Sequence, residues 1–146
     1  MTNTRLICIL FMILIASCNS NTSSSVEITS LRVFAPLPGT NTAVAYMTIV
    51  NKTDNLITFR NVHSPEFEHA EIHENTLENG ISRMRRLDKV TIGEGDTLIF
   101  NAGGMHIMLV EPREDMVVGS HVTLQILHDY GELKVTTKIL NRLSSK

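Results

Sequence analysis

The chain has 146 residues, enough for one domain with a sizeable core. Lys and Arg number 13 against 15 Asp and Glu, so the charge is near balance, and no basic patch of the kind that grips nucleic acid is evident. Arg83, Arg85 and Arg86 form a small local cluster that reads as a solvated strand or turn. The 42% apolar share includes a short N-terminal run at residues 6–15, which follows Arg5. That run is too short for a comfortable membrane span, so it reads as an export signal outside the fold.

Ile15-Ala16-Ser17-Cys18 resembles a bacterial lipobox, with small residues ahead of the cysteine. The resemblance implies cleavage before Cys18 and lipid on its sulfur and new amino group. Residues 1–17 are then a lipoprotein signal peptide. Several acyl chains on one residue anchor stably, where a single chain is marginal. Asn19, not Asp, follows the cysteine, which by family analogy favours the outer membrane over the inner. Cys8 lies in the discarded segment, so the mature domain has no free thiol and no disulfide. Loss of Arg5 leaves 12 Lys and Arg against 15 Asp and Glu, a formal −3. Residues 19–25 are small and polar and read as a flexible tether, reaching about 25 Å at most when extended. The folded domain is expected over 26–146.

From residue 26 onward the pattern is short strands between turn signals. The expected strands are 26–34, 43–51, 56–63, 69–77, 81–87, 89–92, 97–100, 105–111, 121–127 and 134–140. Separators rich in Pro, Gly, Asn and Asp stand at 36–39, 52–55, 93–96 and 129–131. No segment holds a 3.6-residue apolar period. The chain is therefore expected to be all-β, a single-domain sandwich or barrel. Asn79-Gly80 is a two-residue hairpin signal, because a type I′ turn needs positive φ at both positions. If it is the turn, Met84 pairs with Asn75, and His73 shares Met84's face as a diagonal neighbour.

His73, Met84, His106 and Met108 carry the chemistry. Two neutral imidazoles and two thioethers suit Cu(I) above other ions. Thioether sulfur is soft and uncharged and offers little to Mg(II), Ca(II) or Mn(II). Zinc sites draw on Cys, His, Asp and Glu, not Met. His106 and Met108 are i and i+2 on one strand and share a face. Gly103-Gly104 ahead of them permits a tight turn into that strand. His and Met also avoid the disulfide formation that threatens thiolate ligands in an oxidising compartment. Taken singly, Met84 and Met108 read as ordinary core methionines, and His73 and His106 as surface or hydrogen-bonded strand residues. Their joint spacing, H-x10-M-x21-H-x-M, is far more specific.

That spacing resembles the ligand signature of the PCuAC-type periplasmic copper chaperones. The resemblance extends through Ala45-Tyr46-Met47-Thr48-Ile49-Val50-Asn51, Glu71-Ile72-His73-Glu74, Arg83-Met84-Arg85 and Gly103-Gly104-Met105-His106-Ile107-Met108-Leu109, and covers roughly residues 26–140. It implies a cupredoxin-like sandwich. It also implies a periplasmic, membrane-anchored metallochaperone that delivers Cu(I) to an apo-cuproenzyme, with a cytochrome c oxidase copper subunit or another copper chaperone as partner. A copper buffer or resistance lipoprotein without a dedicated recipient shares the same site, and a structural interaction lipoprotein is the remaining alternative.

Other residues take blander readings. Met105 points opposite to His106 and packs at the core or rim, and Met47 is core. His63 and His69 are loop or strand-edge residues, and His121 and His128 are exposed. Glu71 and Glu74 flank His73, where they could orient its imidazole or attract cations; the blander reading is of solvated carboxylates. No nucleophile context surrounds Ser64, Ser82 or Ser120, no phosphate-binding glycine loop is present, and no catalytic residue is assigned. A blue-copper electron carrier needs a cysteine thiolate, which the mature chain lacks.

Overall fold

A computed structural model describes residues 25–142. The expected signal peptide 1–17, the expected lipid carrier Cys18 and the expected tether up to residue 24 lie outside the described residues. Ten strands follow in order: β1 Val26–Phe34, β2 Thr42–Asn51, β3 Ile57–His63, β4 Phe67–Glu78, β5 Ile81–Leu87, β6 Val90–Ile92, β7 Thr97–Phe100, β8 Met105–Pro112, β9 His121–His128 and β10 Gly131–Leu140. Each expected strand is present, with bounds shifted by a few residues. β10 starts earliest relative to expectation, because β9 and β10 turn tightly and Gly131 already pairs with His128.

The strands form one hydrogen-bonded path, β5-β4-β8-β2-β1-β10-β9-β3-β6, with β7 paired to β2 off that path. The path changes layer at β1 and β10, which run parallel at Val33↔Ile139 and Phe34↔Leu140. One layer is β5-β4-β8-β2-β1 with β7, and the other is β10-β9-β3-β6. Period-two alternation turns apolar side chains inward from both. Ala43, Ala45, Met47 and Ile49 of β2 meet Val122, Leu124 and Ile126 of β9, with Phe59 of β3 and Phe67 of β4, in one buried cluster. This is the sandwich that the strand pattern predicts.

Two turns matter for the site. Asn79 (φ 51°) and Gly80 (φ 80°) both hold positive φ between β4 and β5. The hairpin therefore has the expected register, with Asn75 opposite Met84 and His73 opposite Arg86. At the far end of β2, the buried Asn51 donates to Asn55 O at 2.7 Å and Gly93 O at 2.8 Å. It thereby ties the β2–β3 and β6–β7 connections together.

Candidate metal centre

β4 and β8 run antiparallel, and His73 stands directly opposite His106. Met108 is opposite Glu71 on β4 and Val44 on β2. Opposed residues share a face, and so do residues two apart on a strand. His73, Met84, His106 and Met108 thus all lie on the outer face of this layer. Ile72, Ile107 and Leu109 point the other way, into the core.

An open pocket of about 340 Å³ forms on that face, lined by Val44, Tyr46, Asn75, Met84, His106 and Met108 among others. His73 is not part of the pocket wall. Its ring lies beside that of His106, with centroids 6.0 Å apart and planes inclined at 36°. Two imidazoles sharing one metal, with metal–nitrogen bonds of about 2.0–2.1 Å, hold their centroids roughly 5–6 Å apart. The observed separation fits that span. Burial is graded across the group: His106 is 6% exposed and Met84 is 54% exposed. Among the described residues, no three His, Cys, Asp or Glu side chains gather into a metal-holding group. The thioethers of Met84 and Met108 share the outer face with the two imidazoles, and together these four side chains would make a donor set that suits a soft ion.

Backbone geometry places His106. Gly103 has φ +82°, and the turn closes with Gly104 N–H to Asn101 O at 3.2 Å and Asn101 N–H to Met105 O at 2.7 Å. A Cβ on Gly104 would stand 2.5 Å from Asn101 Oδ1, so this position admits no side chain without movement. Gly104 O accepts from Asn75 N–H at 3.2 Å and from His106 Nδ1 at 3.0 Å. One carbonyl thus links β4, the turn and the histidine ring.

Glu71 takes the ring-orienting reading in place of that of a solvated carboxylate. Its Oε2 lies 2.9 Å from His73 Nε2, and its Oε1 accepts from Arg86 at 2.9 Å. The hydrogen bond from His73, then the Arg86 charge, hold the Glu71 carboxyl below its ordinary range against the opposing effect of burial. The sequence carried a signal for this, since residues 71 and 73 share a face at i and i+2. Glu74 accepts from Arg85 at 2.7 Å, and Arg83 lies 3.6 Å from Glu78. The arginine cluster is thus a row of surface ion pairs along the β4–β5 hairpin. Met47 is core and Met105 packs partly buried against it, as expected. His63, His69 and His121 are exposed. His128 is half-buried instead, its ring edge-on to Phe59 at 5.7 Å.

Comparison with known proteins places this geometry. The LpqE-like family, a family of lipoprotein-like sequences, matches residues 26–139. Protein RP573 of Rickettsia prowazekii (strain Madrid E) is 27% identical over 98 residues, 66% of this chain. The chain spans about half the length of that relative, 54%. Among solved structures, Cu(I)-DR1885 from Deinococcus radiodurans matches with a TM-score of 0.67 at 22% identity, over 90% of this chain and 89% of that one. The copper-bound PCuAC domain from PmoF2 matches with a TM-score of 0.65 at 22% identity, over 80% of this chain and 92% of that one. At these identities the likeness is one of fold, and the fold is that of the PCuAC domains, a cupredoxin-like β-sandwich. The chain belongs to the LpqE-like family.

Proposed function

We propose that this protein is a carrier of Cu(I), not a catalyst, that takes up one ion at His73, Met84, His106 and Met108 and passes it to an apo-cuproenzyme. One observation carries the reading: the register of β5, β4 and β8 brings two imidazoles and two thioethers from distant sequence positions onto one outer face beside an open pocket. No other ion class matches that donor set as well. The structural relatives with bound copper support the same reading.

Exposure favours transfer over storage. Met84 is the most accessible of the four, and an incoming donor from a partner reaches it first. Neutral thioether ligands exchange without charge separation. The recipient in this reading is a cytochrome c oxidase copper subunit, or another copper chaperone upstream of it.

The proposal extends to location. Cys18 is the lipidated N-terminus, residues 18–25 tether the domain, and the protein works in the periplasm on a membrane, with the outer membrane favoured. The topology suits an anchored donor. β1 begins at Val26, opposite Asn51, and ends at Phe34, opposite Val44 beside the pocket. Eight strand steps separate these ends, about 27 Å. The tether therefore joins the domain at the end remote from the pocket, leaving the pocket accessible to partners.

The test is transfer. Cu(I)-loaded protein is mixed with a purified apo-oxidase copper domain, and copper on each is followed after separation. Movement of copper to the recipient faster than its release to a chelator supports a carrier. Retention of copper, or release at the same rate with and without recipient, supports a buffer instead.

A further inference from the structure

His73 and His106 face each other, yet their ring nitrogens are held in opposite ways. At His106, Nδ1 lies 3.0 Å from Gly104 O. A carbonyl oxygen only accepts, so Nδ1 carries the proton and Nε2 keeps its lone pair. At His73 the contact is through the other nitrogen, with Nε2 2.9 Å from Glu71 Oε2. An ionised carboxylate also only accepts, so here Nε2 carries the proton, and in the neutral ring Nδ1 keeps the lone pair. That Nδ1 is buried and, among the described residues, is the buried side-chain polar atom with no hydrogen-bond partner. Buried polar atoms are rarely left so, and a functional role is a standard reason for an exception.

The carboxylate is itself braced. Arg86 stands opposite His73 on β5 and donates through Nη1 to Glu71 Oε1 at 2.9 Å. The result is a chain of contacts, Arg86 to Glu71 to His73, that ends on the bare Nδ1. The four-residue signature contains neither Glu71 nor Arg86. We infer that Glu71, held by Arg86, is a positioning residue that fixes the tautomer of His73, so that His73 donates to copper through Nδ1 while His106 donates through Nε2. The identity of the ion rests on the proposed function; the tautomers rest on hydrogen-bond geometry alone. Outer partners of this kind fix ring orientation and raise ligand basicity, and their loss costs roughly 10–100-fold in metal affinity.

Long-range proton–nitrogen correlation NMR on the apo protein with isotopically labelled histidine reads both tautomers directly. The expected pattern is a protonated Nε2 and bare Nδ1 at His73, with the reverse at His106. Glu71→Ala is expected to mix the tautomers of His73, leave those of His106 unchanged, and weaken Cu(I) binding by roughly 10–100-fold. Glu71→Gln keeps an oxygen able to accept from Nε2–H, and is expected to recover the His73 pattern and most of the affinity. A wild-type His73 protonated on Nδ1 overturns the assignment, and that measurement needs no variant to fold. A Glu71→Ala protein with wild-type tautomers and affinity overturns it as well, as does a Glu71→Gln protein no better than Glu71→Ala. If the apo tautomers are as assigned but no Cu(I) binds, the copper reading fails while the role of Glu71 in setting the tautomer stands.

Discussion

Replacing methionines on the two faces of β2 and its neighbours separates ligand from core. Met47 is 1% exposed and sits inside the sandwich, whereas Met84 is 54% exposed on the opposite face. Full burial of a Met side chain is worth about 1.5–3 kcal/mol, so the covered half of Met84 contributes about 1 kcal/mol. Met47→Ala leaves a cavity as well, and such changes cost about 2–5 kcal/mol. For a domain of this size, each kcal/mol lowers Tm by roughly 4 °C. Met84→Ala, and Met108→Ala at the half-buried neighbouring position, are thus expected to lose about 1 kcal/mol or less in the apo form. Met47→Ala loses several times more. Copper binding is expected to invert the order: Met47→Ala keeps its Cu(I) affinity while folded, and the two site variants lose more than the roughly 10–100-fold typical of an outer partner. Urea denaturation of the apo proteins, with Cu(I) titrations against a competing chelator, makes the comparison. Large apo destabilisation in Met84→Ala or Met108→Ala, with unchanged affinity, would refute the reasoning and return those residues to the core.

Copper at 100 times its Kd is expected to stabilise the wild type by about 2.7 kcal/mol, seen as a higher Tm, and an unchanged Tm at saturating Cu(I) contradicts a native-state site. Gly104→Ala sets a Cβ 2.5 Å from Asn101 Oδ1, the end of an exposed side chain that can turn away, so it is expected to leave Cu(I) affinity and the β-type far-UV spectrum near wild type, and a large loss of affinity contradicts that. The carboxyls of Glu27, Glu71 and Asp129 are held low by hydrogen bonds from Lys52, His73 and Thr58 respectively. Depressed folded values make these groups stabilising above the ordinary carboxylate range, and that stability is lost as pH falls through their folded values. Apo stability is therefore expected to decline between about pH 5 and pH 3, and a rise over that window contradicts the sign. Cys18→Ser is expected to release or misprocess the protein, and mass spectrometry of membrane-extracted wild type showing an unmodified Cys18 contradicts lipidation.

Much of the fold was legible because β-strands declare themselves by alternation. Residues 45–49 alternate, with Ala45, Met47 and Ile49 buried by parity, while Val44 is buried on the other face between Ala43 and Ala45. Asn79-Gly80 fixed the β4–β5 register, since few other residue pairs tolerate two positive φ values. Which strands become neighbours was not legible. The placement of β8 between β4 and β2 pairs residues more than thirty positions apart, and only packing decides it. For the site, parity put Met84 with His73 and Met108 with His106, but the direct opposition of His73 and His106 needed the β4–β8 register. Glu71 stayed open between two readings, orienting the ring or facing water, because a carboxylate beside a histidine has the same sequence in both cases. Its Arg86 partner comes from across the hairpin. Asn51 belonged to a recognisable segment without an evident task, and its clamp on two connections depends on loops meeting in space.

X-ray absorption on the Cu(I)-loaded protein tests the central claim most directly, because it reads the donor atoms themselves. The account predicts one copper per chain with both nitrogen and sulfur neighbours, and loss of sulfur scattering when Met84 and Met108 are both replaced by Ala. A wild-type spectrum with only nitrogen and oxygen neighbours would contradict it, taking both methionines out of the site and the carrier reading with them.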